Sequence, residues 1–307
     1  MICLAVRPEN IERRTSSGFG PISAAVGIGL KPAHYRALLK DRPPLDFLEL
    51  HTENYMGAGG PPHRYLAELA ELYPLSFHGV GLSLGGADPL SRSHLTRWRE
   101  LVERYQPALV SEHVAWSSCD GYALHDLLPI PYTEESLRIL CEHVDQMQSS
   151  LGRHVLIENP SRYLEFNDST MAEADFLVEA TARTGCRLLL DLNNVFVSTC
   201  NQCEDASLYL SRIPGHLVDE IHLAGHSINT TDAGQIRVDD HGSPVCDAVW
   251  QLYNDMVAKI GPRPTLIEWD TDVPDVGVLL GEAEHAREVA ASSAHSSLRS
   301  IKHAHSP

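Results

Sequence analysis

Histidines and carboxylates stand at the ends of successive short apolar runs along this chain, and that repetition constrains its fold more than any other feature. The run LDFLELH closes on His51, LSFHG carries His78, and ALVSEH ends in Glu112 and His113. VLIEN ends in Glu158 and Asn159, LLLDLNN carries Asp191, EIHLAGH carries His222 and His226, and TLIEW carries Glu268. Successive members lie 27 to 46 residues apart, the length of one strand, helix and return in an eightfold α/β barrel. The reading that follows is one cup of ligands on one face of a barrel.

Strand-like stretches fall at 25–30, 45–51, 75–80, 108–113, 155–159, 188–192, 221–224 and 265–269. Helix-like stretches lie between and after them, at 33–40, 62–72, 91–105, 134–150, 171–184, 205–212, 245–259 and 276–290. Thr133 followed by Glu134 and Glu135, and Asp88-Pro89 before the third helix, are start signals. Strict alternation predicts a single (β/α)8 TIM barrel over residues 21–290, because parallel strands need helical crossovers. Residues 1–20 are polar and poorly patterned, and 291–307 (ASSAHSSLRSIKHAHSP) are rich in Ser and His. Both ends are expected to be mobile.

Barrel enzymes build their sites at the carboxyl ends of the strands, where each of these His and acidic residues lies. Side chains two apart on a strand share a face, so Glu49, and Glu53 if the chain stays extended, join His51. The same parity puts Ser76 under His78, Val110 under Glu112, Leu156 under Glu158 and Leu189 under Asp191. Glu220 has the parity of His222 and points inward unless the seventh strand begins only at Ile221. After that strand, RVDDHGS places Asp239 and His241 two apart in a stretch that reads as extended, able to grip one ion together. A lone His before Gly, such as His78, is ordinarily a core or loop residue. Repetition at strand ends, and the cost of inward acids without a counter-ion, favour metal binding by His78, Glu158, Asp191, His222, Asp239, His241 and Glu268. His51, Glu112, His113 and His226 are either ligands or their supports. Asn159, Asn193 and Asn194 are either ligands or helix caps. Imidazole and carboxylate donors with few thiolates suit iron, manganese or zinc, and several converging carboxylates call for more than one ion.

Other classes are disfavoured by composition. Asp plus Glu outnumber Lys plus Arg by 41 to 24, a formal charge of -17, which argues against duplex nucleic acid or an anionic membrane as partner. No apolar run is long enough for a spanning helix, and no secretory signal is evident at MICLAVRPEN. The seven cysteines form an odd, scattered set, as expected of a reducing, cytoplasmic setting. Cys200-Asn-Gln-Cys203 has redox or zinc spacing, but without a second pair it reads as ordinary loop thiols.

The strings GIGLKPAHY, ELHTENYMGAGGPP, FHGVGLSLGGADPL, LVSEHVAW, DLLPIPYTEE, LIENPSRYL, LLLDLNN, IHLAGH, DDHGSPVCDAVW and LIEWDTDVP resemble the bacterial multinuclear iron oxygenases related to MbnB and TglH. The resemblance runs from about Ala25 to Leu280 and rests on many separate motifs. It implies a barrel of the xylose-isomerase type holding two or three iron ions. It implies use of dioxygen to oxidise cysteines of a ribosomally made precursor peptide, with a small accessory protein presenting that peptide. Carried over position by position, it implies that His78, Glu158, Asp191, His222, Asp239, His241 and Glu268 hold the metals, with His51, Glu112 and Asn159 as further ligands. STCNQCED, after the sixth strand, departs from the commoner family pattern. Two rival functions stand beside this one: a zinc-dependent phosphodiesterase of the endonuclease IV type, and a protein that binds metal or peptide without turnover.

Overall fold

In the computed structural model, which describes residues 24–232 and 234–304, eight parallel strands close into a barrel. They are β1 (Val26–Gly29), β2 (Phe47–His51), β3 (Leu75–Gly79), β4 (Leu109–His113), β7 (Leu156–Glu158), β8 (Arg187–Asp191), β9 (Val218–Leu223) and β12 (Thr265–Ile267). Each pairs with the next in that order, and β12 returns to β1. The strands read in the sequence are these eight, and the alternation with helices is as expected. The outer layer comprises α1 (Tyr35–Asp41), α2 (Pro61–Ala70), α3 (Arg92–Tyr105), α4 (Glu134–Leu151), α5 (Glu173–Thr184), α6 (Leu192–Gln202), α7 (Ala206–Ser211), α8 (Asp247–Ile260) and α9 (Val276–Ala304).

Helix starts follow local chemistry. Thr133 caps α4 by accepting from the Ser136 amide while the Ser136 hydroxyl accepts from the Thr133 amide, a reciprocal capping box. Each helix turns an apolar stripe to the barrel wall, where Leu38, Leu66, Trp98, Leu137, Phe176, Val249 and Leu279 are fully buried. A side chain of this kind contributes roughly 1.5–3 kcal/mol by leaving water.

Three parts differ from the expectation. Two antiparallel hairpins, β5 (Trp116–Cys119) with β6 (Tyr122–Leu128) and β10 (Ser227–Thr231) with β11 (Gly234–Val238), follow β4 and β9 at the mouth of the barrel. Helix α6 starts directly at the end of β8, with Asp191 as its cap accepting from the Asn194 amide at 2.6 Å. Helix α9 continues past 290 to Ala304. The segment 1–20 lies outside the described residues. Among the described residues no helix is long and apolar enough to cross a membrane.

Inside the barrel, the usual filling of branched apolar side chains gives way to buried Glu49, Ser76, Ser111 and Glu220. Strand β9 begins at Val218, not Ile221, so Glu220 does point inward. A polar floor of this kind is costly unless charges and donors above it are matched.

Candidate metal centre

The strand register sets the layout. His51 pairs beside His78 across β2 and β3, His113 beside Glu158 across β4 and β7, and Asp191 beside His222 across β8 and β9. Donor atoms gather in overlapping groups, each within 4.8 Å: His78, His113 and Glu158; Glu158, Asp191 and His222; Glu49, Glu220 and His222; and His51, Glu268 and Asp270. Glu158 and His222 each belong to two of the first three groups, and His222 Nδ1 lies 3.1 Å from Glu268 Oε2 of the fourth, so the groups form one continuous cluster. His241 joins it, with Nδ1 3.5 Å from Glu268 Oε2 and Nε2 2.6 Å from Asp239 Oδ1.

The sequence-derived set divides three ways. His51, His78, Glu158, Asp191, His222, Asp239, His241 and Glu268 come together at the mouth. Glu112 does not. Its two oxygens accept from the Leu82 amide at 3.3 Å and the His113 amide at 3.1 Å, and its carboxyl lies against Gly79 and near Trp98, behind the barrel wall. In β4 the inward parity therefore belongs to Ser111 and His113, not to Val110 and Glu112. Ser111 Oγ lies 2.7 Å from His78 Nδ1, and His113 Nε2 lies 3.2 Å from Glu158 Oε2. Asn159 is a brace: its amide donates to the Asp191 carbonyl and accepts from the Asp191 amide, both at 2.9 Å. Asn193 ties Asp239 Oδ1 at 2.7 Å and His226 Nδ1 at 2.9 Å. Asn194 donates to Glu158 Oε1 and to the Asn159 carbonyl.

Asp239 and His241 do meet, though not on an extended strand. His241 has a left-handed φ of 45°, and Tyr163 Oη accepts from the Asp239 amide. Glu53 turns away on a short 3-10 segment, where it binds the Val80 and Gly81 amides and His94. Asp270 escaped the sequence reading. It lies 3.3 Å from His241 and 3.7 Å from His51, and it pairs with Lys31. Its two-residue offset from Glu268 in IEWD was the available signal.

Several of these atoms lack ordinary partners. His78 Nε2, Glu158 Oε2, Asp191 Oδ2, both Glu220 oxygens, His222 Nε2 and His241 Nε2 are buried without a hydrogen bond. His78 Nε2 is 3.1 Å from Glu158 Oε2, and His222 Nε2 is 3.3 Å from Glu49 Oε1. Lone pairs brought this close but out of line suit convergence on a shared cation. Leaving them uncompensated would cost about 1–3 kcal/mol or more apiece.

The electrostatics point the same way. Burial works against charge on Glu158, yet His113, His78 and His222 hold its carboxyl down at about 2. Burial also works against charge on His78, and Glu158 with Glu49 outweighs it, lifting the imidazole to about 10. His222 and His241 rise well above the usual range against their own burial, drawn up by Glu49 and Asp239 respectively. Asp191 and Glu220 go the other way: burial, reinforced by Glu158 and by Glu49, pushes each well up. Protons on the rings and on these two acids thus supply positive charge that bound cations would otherwise supply. The N and O donors, with no thiolate among the groups named above, fit iron, manganese or zinc. A cavity of about 530 Å³ lined by Tyr132, Arg162, Phe166, Glu173, Glu204 and Leu208 has none of the clustered donors among its walls.

Comparison with known proteins agrees with the barrel. A family model described as RiPP precursor modification enzyme MbnB/TglH/ChrH matches residues 25–291. A UPF0276 protein of Paraburkholderia phytofirmans is 49% identical over 282 residues, 92% of each chain. One of Rhizobium meliloti is 49% identical over 269 residues, 87% of each. Among solved structures, an L-ribulose 3-epimerase superposes with a TM-score of 0.58 at 13% identity, over 92% of this chain and 100% of the other. A xylose isomerase-like TIM barrel protein from Mycobacterium smegmatis in complex with magnesium gives 0.56 at 11%, over 88% and 97%. Endonuclease IV from Thermus thermophilus gives 0.54 at 13%, over 86% and 99%. At such identities these three establish the fold alone, a xylose-isomerase-like TIM barrel. The match across 25–291, together with relatives at 49% identity over most of their length, makes this chain a member of the MbnB/TglH/ChrH family.

Proposed function

We propose that this protein is a multinuclear non-haem iron, dioxygen-dependent oxygenase that oxidatively modifies cysteine residues of a ribosomally synthesised precursor peptide. The observation that carries the reading is the continuous buried cluster of imidazoles and carboxylates whose donor atoms lack hydrogen-bond partners, found in a family described as precursor-modifying enzymes. His78, His113, Glu158, Asp191 and His222 would hold iron on the deeper side, and His51, Glu268, Asp270 and His241 on the outer side, with Asp239 beside His241. Two or three iron ions fit that many donors. When bound, ferrous iron with an open position supplies the one-electron chemistry that dioxygen and a thiolate require.

The chain's own residues define where substrate enters. His51 and Asp270 are 23% and 26% exposed at their side chains, whereas His78, Glu158 and His222 are sealed. A substrate sulfur therefore approaches from the His51 side. The two hairpins follow β4 and β9, and Tyr122 and Ile228 are exposed on them, a surface suited to a peptide and the small accessory protein that would present it. Lys31, held by Asp270, sets a positive charge at the rim. The free cysteines of the described residues agree with a cytoplasmic setting.

A phosphodiesterase of the endonuclease IV type would share the barrel, but a formal charge of -17 opposes DNA. The test is anaerobic purification from iron-supplied cells, metal analysis, and single-turnover mixing with dioxygen and a Cys-containing precursor peptide encoded beside the gene. A mass change on the peptide cysteine supports the oxygenase. Full iron loading with unchanged peptide mass would indicate a carrier, and zinc loading with cleavage of abasic DNA would indicate the phosphodiesterase.

A further inference from the structure

We propose that Cys200 and Cys203 form an oxidisable dithiol site that reacts with a low-molecular-weight disulfide, and that their pairing loosens the hairpin leading into Asp239 and His241. Both thiols are free and exposed at the end of α6. Cys141 and Cys186, by contrast, are shut in the core, where burial pushes their thiols up to about 11 and about 12. Cys203 is the left-handed C-cap, φ 56° and ψ 36°, with its amide donating to the Thr199 carbonyl, a conformation that a side chain leaves readily.

The turn between the two cysteines is also a fastening point. Asn201 Nδ2 donates to the Arg237 carbonyl and Asn201 Oδ1 accepts from the Arg237 amide, both at 2.9 Å. One side chain thus clips the end of α6 to β11, and β11 runs through Val238 straight into Asp239. A disulfide needs Cβ atoms about 4 Å apart, and Cys203, as a left-handed cap just past the helix, is off the helical path on which Cys200 lies. Pairing draws the last turn of α6 inward and pulls Asn201 off Arg237.

The chemistry balances. The Cys203 thiolate attacks one sulfur of the small disulfide and expels a thiolate. Cys200 then attacks the Cys203 sulfur of the mixed disulfide and expels the second thiolate. The two cysteines lose two electrons, and their two protons go to the two released thiols. Burial raises the Cys200 thiol, with Arg237 opposing, and the negative end of α6 disfavours thiolate. Pairing is therefore slow and is read at equilibrium.

The test equilibrates the whole metal-loaded protein in glutathione buffers of graded ratio, then quenches by alkylation. The expected product is a Cys200–Cys203 disulfide, about 2 Da lighter than the dithiol, with amide exchange of Gly234–Val238 faster by roughly tenfold, as for two lost hydrogen bonds. Cys200→Ser is expected to stop at a mixed glutathione adduct. Asn201→Ala is expected to speed the same amides without oxidation. Both thiols remaining alkylatable at every ratio, a glutathione adduct as the end product in the unmutated chain, or a disulfide without faster exchange would each overturn the proposal.

Discussion

Glu112 and His113 are neighbours in sequence and face opposite sides of the barrel wall. One slip of register exchanges every inward side chain for its outward neighbour, and in SEH both residues are of ligand type. Patterning alone therefore favoured the wrong one. Geometry separates them by measurement. Glu112→Gln is expected to lower stability by about 1–3 kcal/mol, because an amide cannot accept from both the Leu82 and His113 amides, while iron content stays unchanged. His113→Ala is expected to lower iron content at unchanged Glu112 contacts. Denaturant unfolding and metal analysis of the two variants check both. Asp270 shows the complementary failure, since it shares the parity of Glu268 and was passed over, whereas the inward reading of Glu220 depended only on where β9 begins, and it begins at Val218. Protonation adds a further expectation. The folded pKa of His78, about 10, lies above the unfolded value near 6.5, so its contribution is fully present below pH 6.5 and is lost as pH climbs through about 10. Chelator-treated protein should accordingly lose stability between pH 7 and pH 10. Metal-loaded protein should show a flatter profile, since cations replace those protons, and equal slopes would contradict the assignment.

The eight strands were legible because parallel strands buried on both faces read as near-continuous apolar runs, as in LLLD and TLIE. Helix α6 was not. Its sequence, LNNVFVSTCNQ, is rich in residues that favour strands and turns, and the cap supplied by Asp191 together with burial of Leu192, Val195 and Val197 makes it a helix. The same carboxylate was read as a ligand, and it does both: Oδ1 caps and Oδ2 faces the cluster. The first hairpin carried a signal that was passed over. Asp120-Gly121, with φ of 50° and 80°, is the two-residue turn that such hairpins prefer. Close packing between elements gives another test. A Cβ at Gly79 would lie 2.2 Å from Glu112 Oε2 and 2.6 Å from Trp98 Cζ2. Gly79→Ala is expected to destabilise the protein by about 1–3 kcal/mol through overpacking, measured by urea unfolding. An unchanged midpoint would show that α3 yields freely.

At the level of the molecule, seven of the 41 acids are gathered in and above the barrel interior. A barrel with Glu49, Glu158, Asp191, Glu220, Asp239, Glu268 and Asp270 gathered at one end is stable near neutrality only with protons or cations among them. Under the proposed function that cation is iron, which should then act as a folding ligand. At a hundredfold excess over its dissociation constant each ion is expected to raise the melting temperature by about 5 °C, read by differential scanning calorimetry with and without chelator. Where the ions sit is the more direct question, and anomalous diffraction at the iron edge from iron-loaded crystals answers it. Peaks are expected inside the cluster, one bounded by His78, His113, Glu158, Asp191 and His222 and another by His51, Glu268, Asp270 and His241. A map with no peak there, or with iron only at surface acids, would contradict the multinuclear centre and the function built on it.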